Sequence, residues 1–295
     1  MRKLLFLYLL VALITPNNFS QTKKDSSFQF FFLPKGIDFM PLRAGVDEPR
    51  MGLLYYSSNS DLKIDIGNAV DLLGFNFNSS KSKITVGAEF MAYAYVTSYL
   101  RFRLQIDALD GFFGGYLNYS KQFDGGRFVT RFRYIHDSSH LVDGRWDSFK
   151  HVWIDNQYPT PYGNNYAELL FANERKVNST FLRYYGGASM STGMDTKQKQ
   201  LKKFIYKAGA EYYIPDLFGK ILNRDESLFA AIDIDIKGIP EYIVNQDYML
   251  GIKFGKLNDK GIVIYASYYN GGDIFNQYFT QRVSRFGIGF MIDFI

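Results

Sequence analysis

The stretch RFRYIHDSSHLVDG, residues 131–144, contains two of the three histidines in this 295-residue chain. On an extended strand, residues two apart project from the same face, so the imidazole of His136 would lie on the same side as the hydroxyl group of Ser138. A histidine base near a serine is a pair used for nucleophilic acyl transfer, together with a third group that orients the imidazole. The alternative is that these polar residues only mark the end of a strand and the start of a loop.

The spacing of the histidines argues against a metal site. His136 and His140 would share a strand face but lie about 13 Å apart, which is too far for them to bind one ion. The chain contains no cysteine, which excludes disulfides and thiolate ligands. We therefore predict no metal centre built on these residues.

The beginning of the chain is typical of an exported protein. Two basic residues precede the apolar run 4–14, which is too short to span a bilayer by itself. We expect a signal peptide at residues 1–20, a periplasmic leader at 21–50 and a single β-barrel domain at 51–295.

The composition restricts the class of protein. The 34 Lys and Arg residues nearly balance the 29 Asp and Glu residues, which argues against nucleic-acid binding because that function normally requires a basic patch. Aromatic residues make up 18% of the chain, which also contains 26 glycines. With no long apolar run after the first segment, this composition favours either a soluble β-protein or an outer-membrane β-barrel.

Several stretches alternate between apolar and polar residues, as strands with one apolar face do. Residues 228–237 oppose apolar side chains to Asp233 and Asp235. One face of the last stretch carries Phe286, Ile288, Phe290, Ile292 and Phe294.

The length of these stretches favours a membrane protein. They run to about ten residues and carry aromatic residues near their ends, as membrane-spanning strands do. In lipid every backbone polar group must be paired, so such a sheet must close on itself. We predict an all-β fold, an antiparallel transmembrane β-barrel of about 12 strands; the alternative is a secreted β-sandwich with its apolar faces turned inward.

The connections indicate how the strands are arranged in the membrane. The long polar stretches 141–163 and 191–200 are typical of extracellular loops, and tight turns such as 123–126 are typical of periplasmic ones. The stretch IPDLFGKILNRD, 214–225, is longer than a periplasmic turn should be. A further strand at 51–58 would make the number of strands odd. The predicted strands are 62–70, 83–95, 98–108, 112–122, 126–138, 163–175, 178–190, 203–214, 226–238, 245–256, 260–270 and 284–294.

This arrangement places residues 136–140 near the outer leaflet, where the His-x-Ser pair resembles that of outer membrane phospholipase A and of the lipid A 3-O-deacylases. The resemblance implies that His136 is the general base and Ser138 the nucleophile of a lipid acyl-ester hydrolase. In those families the third catalytic residue usually comes from the neighbouring strand. On that strand Asn165 has the same alternation as the side chains that face lipid, so it is the first candidate. Asp143 on the adjoining loop is the other candidate. Ser139 departs from those enzymes, which have Asn after the serine.

The same resemblance makes calcium a possible cofactor, because outer membrane phospholipase A uses it. Oxygen ligands could come from Asp143, Asp147 and Asp155. Their spacing does not match an EF-hand loop.

A second resemblance covers most of the chain after the first segment. The stretches DFMPLRAGVDEPRMG (38–52), FRYIHDSSHLVDG (132–144) and NYAELLFANERKVNSTFLRYYGGA (165–188) resemble a family of bacterial outer-membrane proteins known as domain of unknown function 1207. This resemblance implies a barrel but assigns no function.

The polar strand faces predict a charged lumen. Charges buried in a membrane protein need partners, so we favour a network of ion pairs that fills a narrow barrel over an anion-selective constriction. The predicted lumen cluster consists of Arg101, Arg103, Arg131, Arg133, Asp233 and Asp235.

The end of the chain suggests how the protein reaches the membrane. Gly289, Ile292 and Phe294 resemble the C-terminal targeting signal of outer-membrane barrels, although Ile295 follows the aromatic residue. The resemblance implies that outer-membrane lipid and the barrel assembly machinery are partners; the oligomeric state stays open. The functional alternatives to a lipid hydrolase are a narrow porin and a structural barrel.

Overall fold

The computed structural model describes residues 27–99, 103–194, 201–221, 223–238 and 241–294. The predicted signal peptide lies outside these residues. None of the helical segments within them is long and apolar enough to cross a membrane.

The described residues form fifteen strands. Two of them, β7 and β8, are two-residue strands that pair with each other in the connection between β6 and β9. The strands are β1 Phe28–Phe32, β2 Met51–Tyr56, β3 Asp61–Phe77, β4 Ser82–Tyr99, β5 Arg103–Phe123, β6 Gly126–Leu141, β7 Trp146–Asp147, β8 Val152–Trp153, β9 Tyr162–Val177, β10 Thr180–Met194, β11 Phe204–Pro215, β12 Glu226–Gly238, β13 Tyr242–Phe254, β14 Gly261–Gly272 and β15 Arg282–Asp293.

Twelve of these strands, β2 to β6 and β9 to β15, close an antiparallel barrel. Each pairs with the next, and the last strand, β15, pairs back to β2. The long connections 142–161 and 273–281 lie at the same end of the barrel, which identifies that end as extracellular because periplasmic turns are the shorter ones. The predicted fold class and strand number are confirmed.

Two details of the predicted strand assignment are wrong. The stretches 98–108 and 112–122 do not form two strands, because β5 runs without interruption from Arg103 to Phe123. Asp110 and Gly111 favour turns in general, but here both pair with β4 and β6. The barrel still has twelve strands, because residues 51–56, which we did not count among the predicted strands, form β2.

The apolar strand faces point outward, as the alternation predicted. On β14, Ile262 and Ile264 are exposed, whereas Val263 and Tyr265 between them are buried. Phe290 on β15 is 44% exposed, which excludes the sandwich alternative because that fold would seal this side chain between two sheets.

Two segments fill the lumen. The chain from 33 to 50 passes through it, and Leu42 and Glu48 are buried there. At the extracellular end the connection 273–281 folds inward and buries Phe275, Asn276 and Gln277.

The lumen segment 33–50 is tied to several strands. Arg183 of β10 donates to the carbonyl oxygen of Met40 at 2.7 Å. Arg43 donates both terminal guanidinium nitrogens to Asp293 of β15, at 2.8 and 2.7 Å. Before this segment, β1 pairs with the periplasmic end of β3.

Candidate active site on the outer wall

Strand β6 carries the His-x-Ser pair on the outside of the barrel. The register of β6 with β5 and with β9 is continuous through Asp137, so no bulge rotates the strand between His136 and Ser138. Both side chains therefore share the outer face, and both are half-buried. Residues 137 and 139 point into the lumen and are buried.

Asn165 lies directly opposite His136 on β9. The Nδ1 atom of His136 is 2.7 Å from Oδ1 of Asn165. On the other side, the ring of Phe113 on β5 packs against the imidazole with 5.0 Å between ring centroids. The imidazole is therefore held between a polar and an aromatic neighbour.

The contact with Asn165 orients the imidazole. In the tautomer that fits this contact the Nδ1–H group of His136 donates to the amide oxygen, and Nε2 is the ring nitrogen left for another partner. The neighbouring strand supports Asn165, because the hydroxyl of Thr192 donates to its backbone carbonyl at 3.1 Å. Thr192 also lies 3.0 Å from the hydroxyl of Tyr134.

Ser138 stands in a gap in the outer wall. Its direct neighbours on the two adjacent strands are Gly111 of β5 and Gly163 of β9. A methyl group added at Gly163 would meet nothing within 4 Å, and one added at Gly111 would meet only the Ser138 hydroxyl at 3.8 Å. The hydroxyl is therefore open to a molecule approaching from outside.

The hydroxyl of Ser138 makes no hydrogen bond to any residue that the structure describes. A bond between His136 and Ser138 is thus not formed in this state. Catalytic hydrogen bonds are often long in free enzymes and shorten when substrate binds. The shared face and the fixed imidazole are the features that the free protein supplies.

Apolar side chains share the outer surface with the gap: Leu109 and Phe113 flank Gly111 on β5, and Tyr134 and Met190 lie nearer the membrane centre. Leu109, Phe113, Tyr134 and Met190 are all exposed on the same outer surface. Exposed apolar groups on the outside of such a barrel contact hydrocarbon. A molecule that reaches Ser138 must therefore be accommodated among lipid chains.

The wall behind the pair is held from inside by the extracellular connection 273–281. The side chain of Gln277 donates to the carbonyl oxygens of Ser139 at 2.9 Å and Thr160 at 2.7 Å, and it accepts from the Thr160 amide at 3.0 Å. Asn276 donates to the Asp137 carboxylate at 3.2 Å. Both strands of the site are thus fixed from the lumen side.

Sequence reasoning missed the residues that frame the pair. Phe113, Gly111 and Gly163 were not identified because their role depends on which strand pairs with β6 and in which register. The glycine-rich stretch GFFGG at 111–115 was the available signal.

The second candidate for the third group, Asp143, lies in a short 3-10 helix after β6. Its side chain is outside the described part of the structure, so its role stays a prediction.

Of the three possible calcium ligands, Asp147 and Asp155 contact other protein groups, and the side chain of Asp143 is outside the described residues. Asp147 accepts the backbone N–H groups of Phe149 and Lys150, each at 3.0 Å. Asp155 instead pairs with Arg145 at 3.0 Å. Among the described residues no group of three or more His, Asp or Glu side chains suits a metal ion.

The predicted lumen arginines of β6 belong to one buried network. Arg131 donates to both carboxylate oxygens of Glu48, at 2.8 and 2.5 Å, and to Glu168 at 2.9 Å. Arg133 pairs with Glu168 at 2.7 Å and with Glu89 at 3.3 Å.

The other predicted lumen residues either form different ion pairs or lie outside the described residues. Asp233 and Asp235 pair with Lys207 at 3.7 and 3.6 Å. Arg101 is not among the described residues, and neither is the side chain of Arg103.

Glu48 shows the electrostatic character of the network. Its carboxylate is fully buried, 2.5 Å from Arg131 and 3.6 Å from Arg133, so the opposite charges meet inside the barrel.

A closed barrel with an apolar exterior, a charged interior and long connections at one end defines an integral outer-membrane protein. The structure is similar to outer membrane phospholipase A from Escherichia coli, with a TM-score of 0.50, 12% identity and coverage of 83% of this chain and 92% of that one. It is also similar to the outer membrane phospholipase dimer with bound calcium from Salmonella typhi, with a TM-score of 0.50, 11% identity and coverage of 83% and 90%. At these identities the similarity shows the fold alone.

No protein-family model matches the chain. No curated protein matches it in sequence either. The resemblance to domain of unknown function 1207 therefore has no support from a family match.

Proposed function

We propose that this protein hydrolyses acyl esters of outer-leaflet lipids, with Ser138 as nucleophile, His136 as general base and Asn165 as the residue that positions the imidazole. The observation that carries the proposal is the 2.7 Å contact between His136 and Asn165 on the lipid-facing wall. With Nδ1 bonded to Asn165, Nε2 of the neutral imidazole is the nitrogen that can accept the proton of Ser138, which lies on the same strand face.

The reaction requires only groups that the chain supplies, the lipid and water. Nε2 of His136 takes the hydroxyl proton while Oγ of Ser138 attacks the ester carbonyl carbon. The tetrahedral intermediate collapses, the bond to the lipid alcohol breaks, and the imidazolium returns its proton to that oxygen. Water, deprotonated by the same imidazole, then cleaves the acyl-serine ester and releases the fatty acid.

The position of the gap explains how a lipid ester reaches the serine. Gly111 and Gly163 leave room on both sides of the hydroxyl, and exposed Leu109 and Phe113, which flank Gly111 on β5, can contact acyl chains. A lipid already in the outer leaflet can therefore present its ester at this depth without leaving the membrane.

The same fold in a phospholipase agrees with this proposal but does not establish it, because the identity is only 12%. The porin alternative finds no support in the described lumen, which the segment 33–50 and the connection 273–281 fill with buried side chains.

The decisive test is fatty-acid release by the purified barrel in detergent, measured separately on phospholipid and on lipid A with calcium present. Replacing Ser138→Ala removes the nucleophile, so we expect kcat to fall about 10⁴-fold or more. Ser284→Ala is the matched control, because Ser284 is another exposed serine on the outer wall, on β15. Hydrolysis that survives Ser138→Ala, or wild-type protein that releases no fatty acid from either lipid, would contradict the proposal.

A further inference from the structure

A groove lies on the outside of the barrel at the periplasmic end, opposite the end that carries His136. Its volume is about 740 Å³, within the range of roughly 300–1,000 Å³ that small-molecule sites occupy. Its floor is apolar and is formed by Ile262, Ile264, Ile292 and Phe294. Ile262 and Phe294 are each 52% exposed, so the groove opens toward the surrounding membrane.

The long periplasmic connection between β11 and β12 forms one wall of this groove. Ile221 lines it, and the carbonyl oxygen of Asp225 accepts the backbone N–H of Gly255, which joins this connection to the turn after β13. Leu217 and Phe218 in the same connection are 49% and 63% exposed. Apolar side chains beside a membrane are stabilised when they enter its interfacial region, and these two extend the apolar surface next to the groove.

Two cations stand at the rim of the groove. Arg224 and Lys260 both line it, and both are exposed. Within the part of the chain that the structure describes, neither forms a salt bridge. Three carboxylates lie nearby: Asp293 pairs with Arg43 at 2.7 Å, Asp225 lies 3.9 Å from Lys220, and Asp259 accepts the backbone N–H of Lys260 at 2.8 Å.

We propose that this groove binds an anionic phospholipid of the inner leaflet. The apolar floor contacts the acyl chains, and Arg224 and Lys260 donate hydrogen bonds to the headgroup phosphate. Charge complementarity argues for this occupant, because two unpaired cations beside an apolar surface match an amphiphile with one anionic end. The site is independent of the hydrolysis proposed above, because it shares no residue with the outer-leaflet pair.

Native mass spectrometry of the full chain, released from detergent and titrated with phosphatidylglycerol, tests the proposal. A cation near a membrane surface contributes about 1 kcal/mol to binding an anionic lipid, so the double variant Arg224→Ala/Lys260→Ala should bind about thirtyfold more weakly. The matched control is Lys220→Ala/Lys256→Ala, which removes two cations from the same connections outside the groove lining. Phosphatidylcholine should bind more weakly than phosphatidylglycerol to the wild type.

A second variant tests the apolar floor without changing charge. Ile264→Trp fills the groove and should also weaken phosphatidylglycerol binding, whereas Leu250→Trp places the same side chain at an exposed position outside the lining. Phosphatidylglycerol binding that is unchanged in both groove variants would overturn the proposal. Inorganic phosphate that binds as tightly as the lipid would identify an anion site instead, and a dimer without bound lipid would identify a second copy as the occupant; either result would overturn it too.

Discussion

At the scale of single residues, the interaction between His136 and Asn165 is the feature that distinguishes the candidate site from a polar strand end. An isolated histidine facing lipid would have no defined ring orientation. Here the amide oxygen of Asn165 and the ring of Phe113 restrict the imidazole from both sides. Ser138, by contrast, is left open by two glycines. The imidazole of His136 is thus held in one orientation, while the hydroxyl of Ser138 is accessible from outside.

Replacing Asn165→Ala should lower kcat while leaving the barrel folded. The imidazole becomes charged during the reaction, and a hydrogen bond to a charged group contributes about 1.5–3 kcal/mol, so we expect a loss of about 10- to 100-fold. Steady-state fatty-acid release measures this loss. Asn173→Ala is the control, because Asn173 is on the same face of β9 and bonds only Arg175. Equal activity of the two variants would show that Asn165 does not position the base.

Filling the gap beside Ser138 tests access separately from chemistry. Gly163→Leu introduces a side chain where a methyl group meets nothing within 4 Å, so the fold should tolerate it. We expect kcat/KM for lipid to fall, because the leucine covers the hydroxyl. A short-chain soluble ester should be less affected than a long-chain lipid. Ala266→Leu on distant β14 is the control, and an unchanged kcat/KM in Gly163→Leu would refute the role of the gap.

At the scale of elements, the site depends on a pairing that spans a long connection. Strands β6 and β9 are neighbours in the barrel although residues 142–161 separate them in sequence. Gln277 bonds both sides of this junction from the lumen, at Ser139 and at Thr160. The connection 273–281 thus helps to hold β6 and β9 in the register that aligns His136 with Asn165.

Replacing Gln277→Ala should weaken this end of the barrel. The change leaves buried backbone groups without partners, which costs about 1–3 kcal/mol for each group. We expect faster amide hydrogen exchange at residues 160–164 than in wild-type protein. Gln281→Ala, in the same connection but exposed, should leave exchange at these residues unaltered. If both variants exchange alike, the connection does not stabilise the junction.

At the scale of the whole molecule, the filled lumen is part of the folded structure. Glu48 lies on the lumen segment 33–50 yet bonds Arg131 of β6 through two contacts. The same segment reaches β15 through the ion pair between Arg43 and Asp293. Strands on different sides of the barrel are therefore connected through its centre.

Removing Glu48 should destabilise the barrel. Glu48→Ala removes one of the carboxylates of the network, so Arg131 and Arg133 must share Glu168 and Glu89. Breaking a buried ion pair costs up to about 3–5 kcal/mol. Urea unfolding in lipid vesicles measures the difference. Asp155→Ala is the control, because Asp155 is 77% exposed and its pair with Arg145 contributes little. Equal midpoints for Glu48→Ala and wild type at neutral pH would contradict the stabilising role of the network.

The sequence by itself determined the architecture, because alternation with a period of two is a local property of a strand. It identified which faces of β12 and β15 are apolar, and it placed His136 and Ser138 on one face. The predicted strand boundaries were wrong at Asp110 and Gly111, which favour turns but lie inside β5. The turn preference of a residue does not show whether its backbone pairs with neighbouring strands.

Only the tertiary structure decided what surrounds those residues. Asn165 lies opposite His136 because β9 pairs with β6 in one register, and a shift of a single residue would turn Asn165 to the lumen. Glu48 meets Arg131 because a segment before the first barrel strand folds back through the lumen. Both contacts join residues that are far apart in the chain, so barrel closure rather than local sequence brings them together.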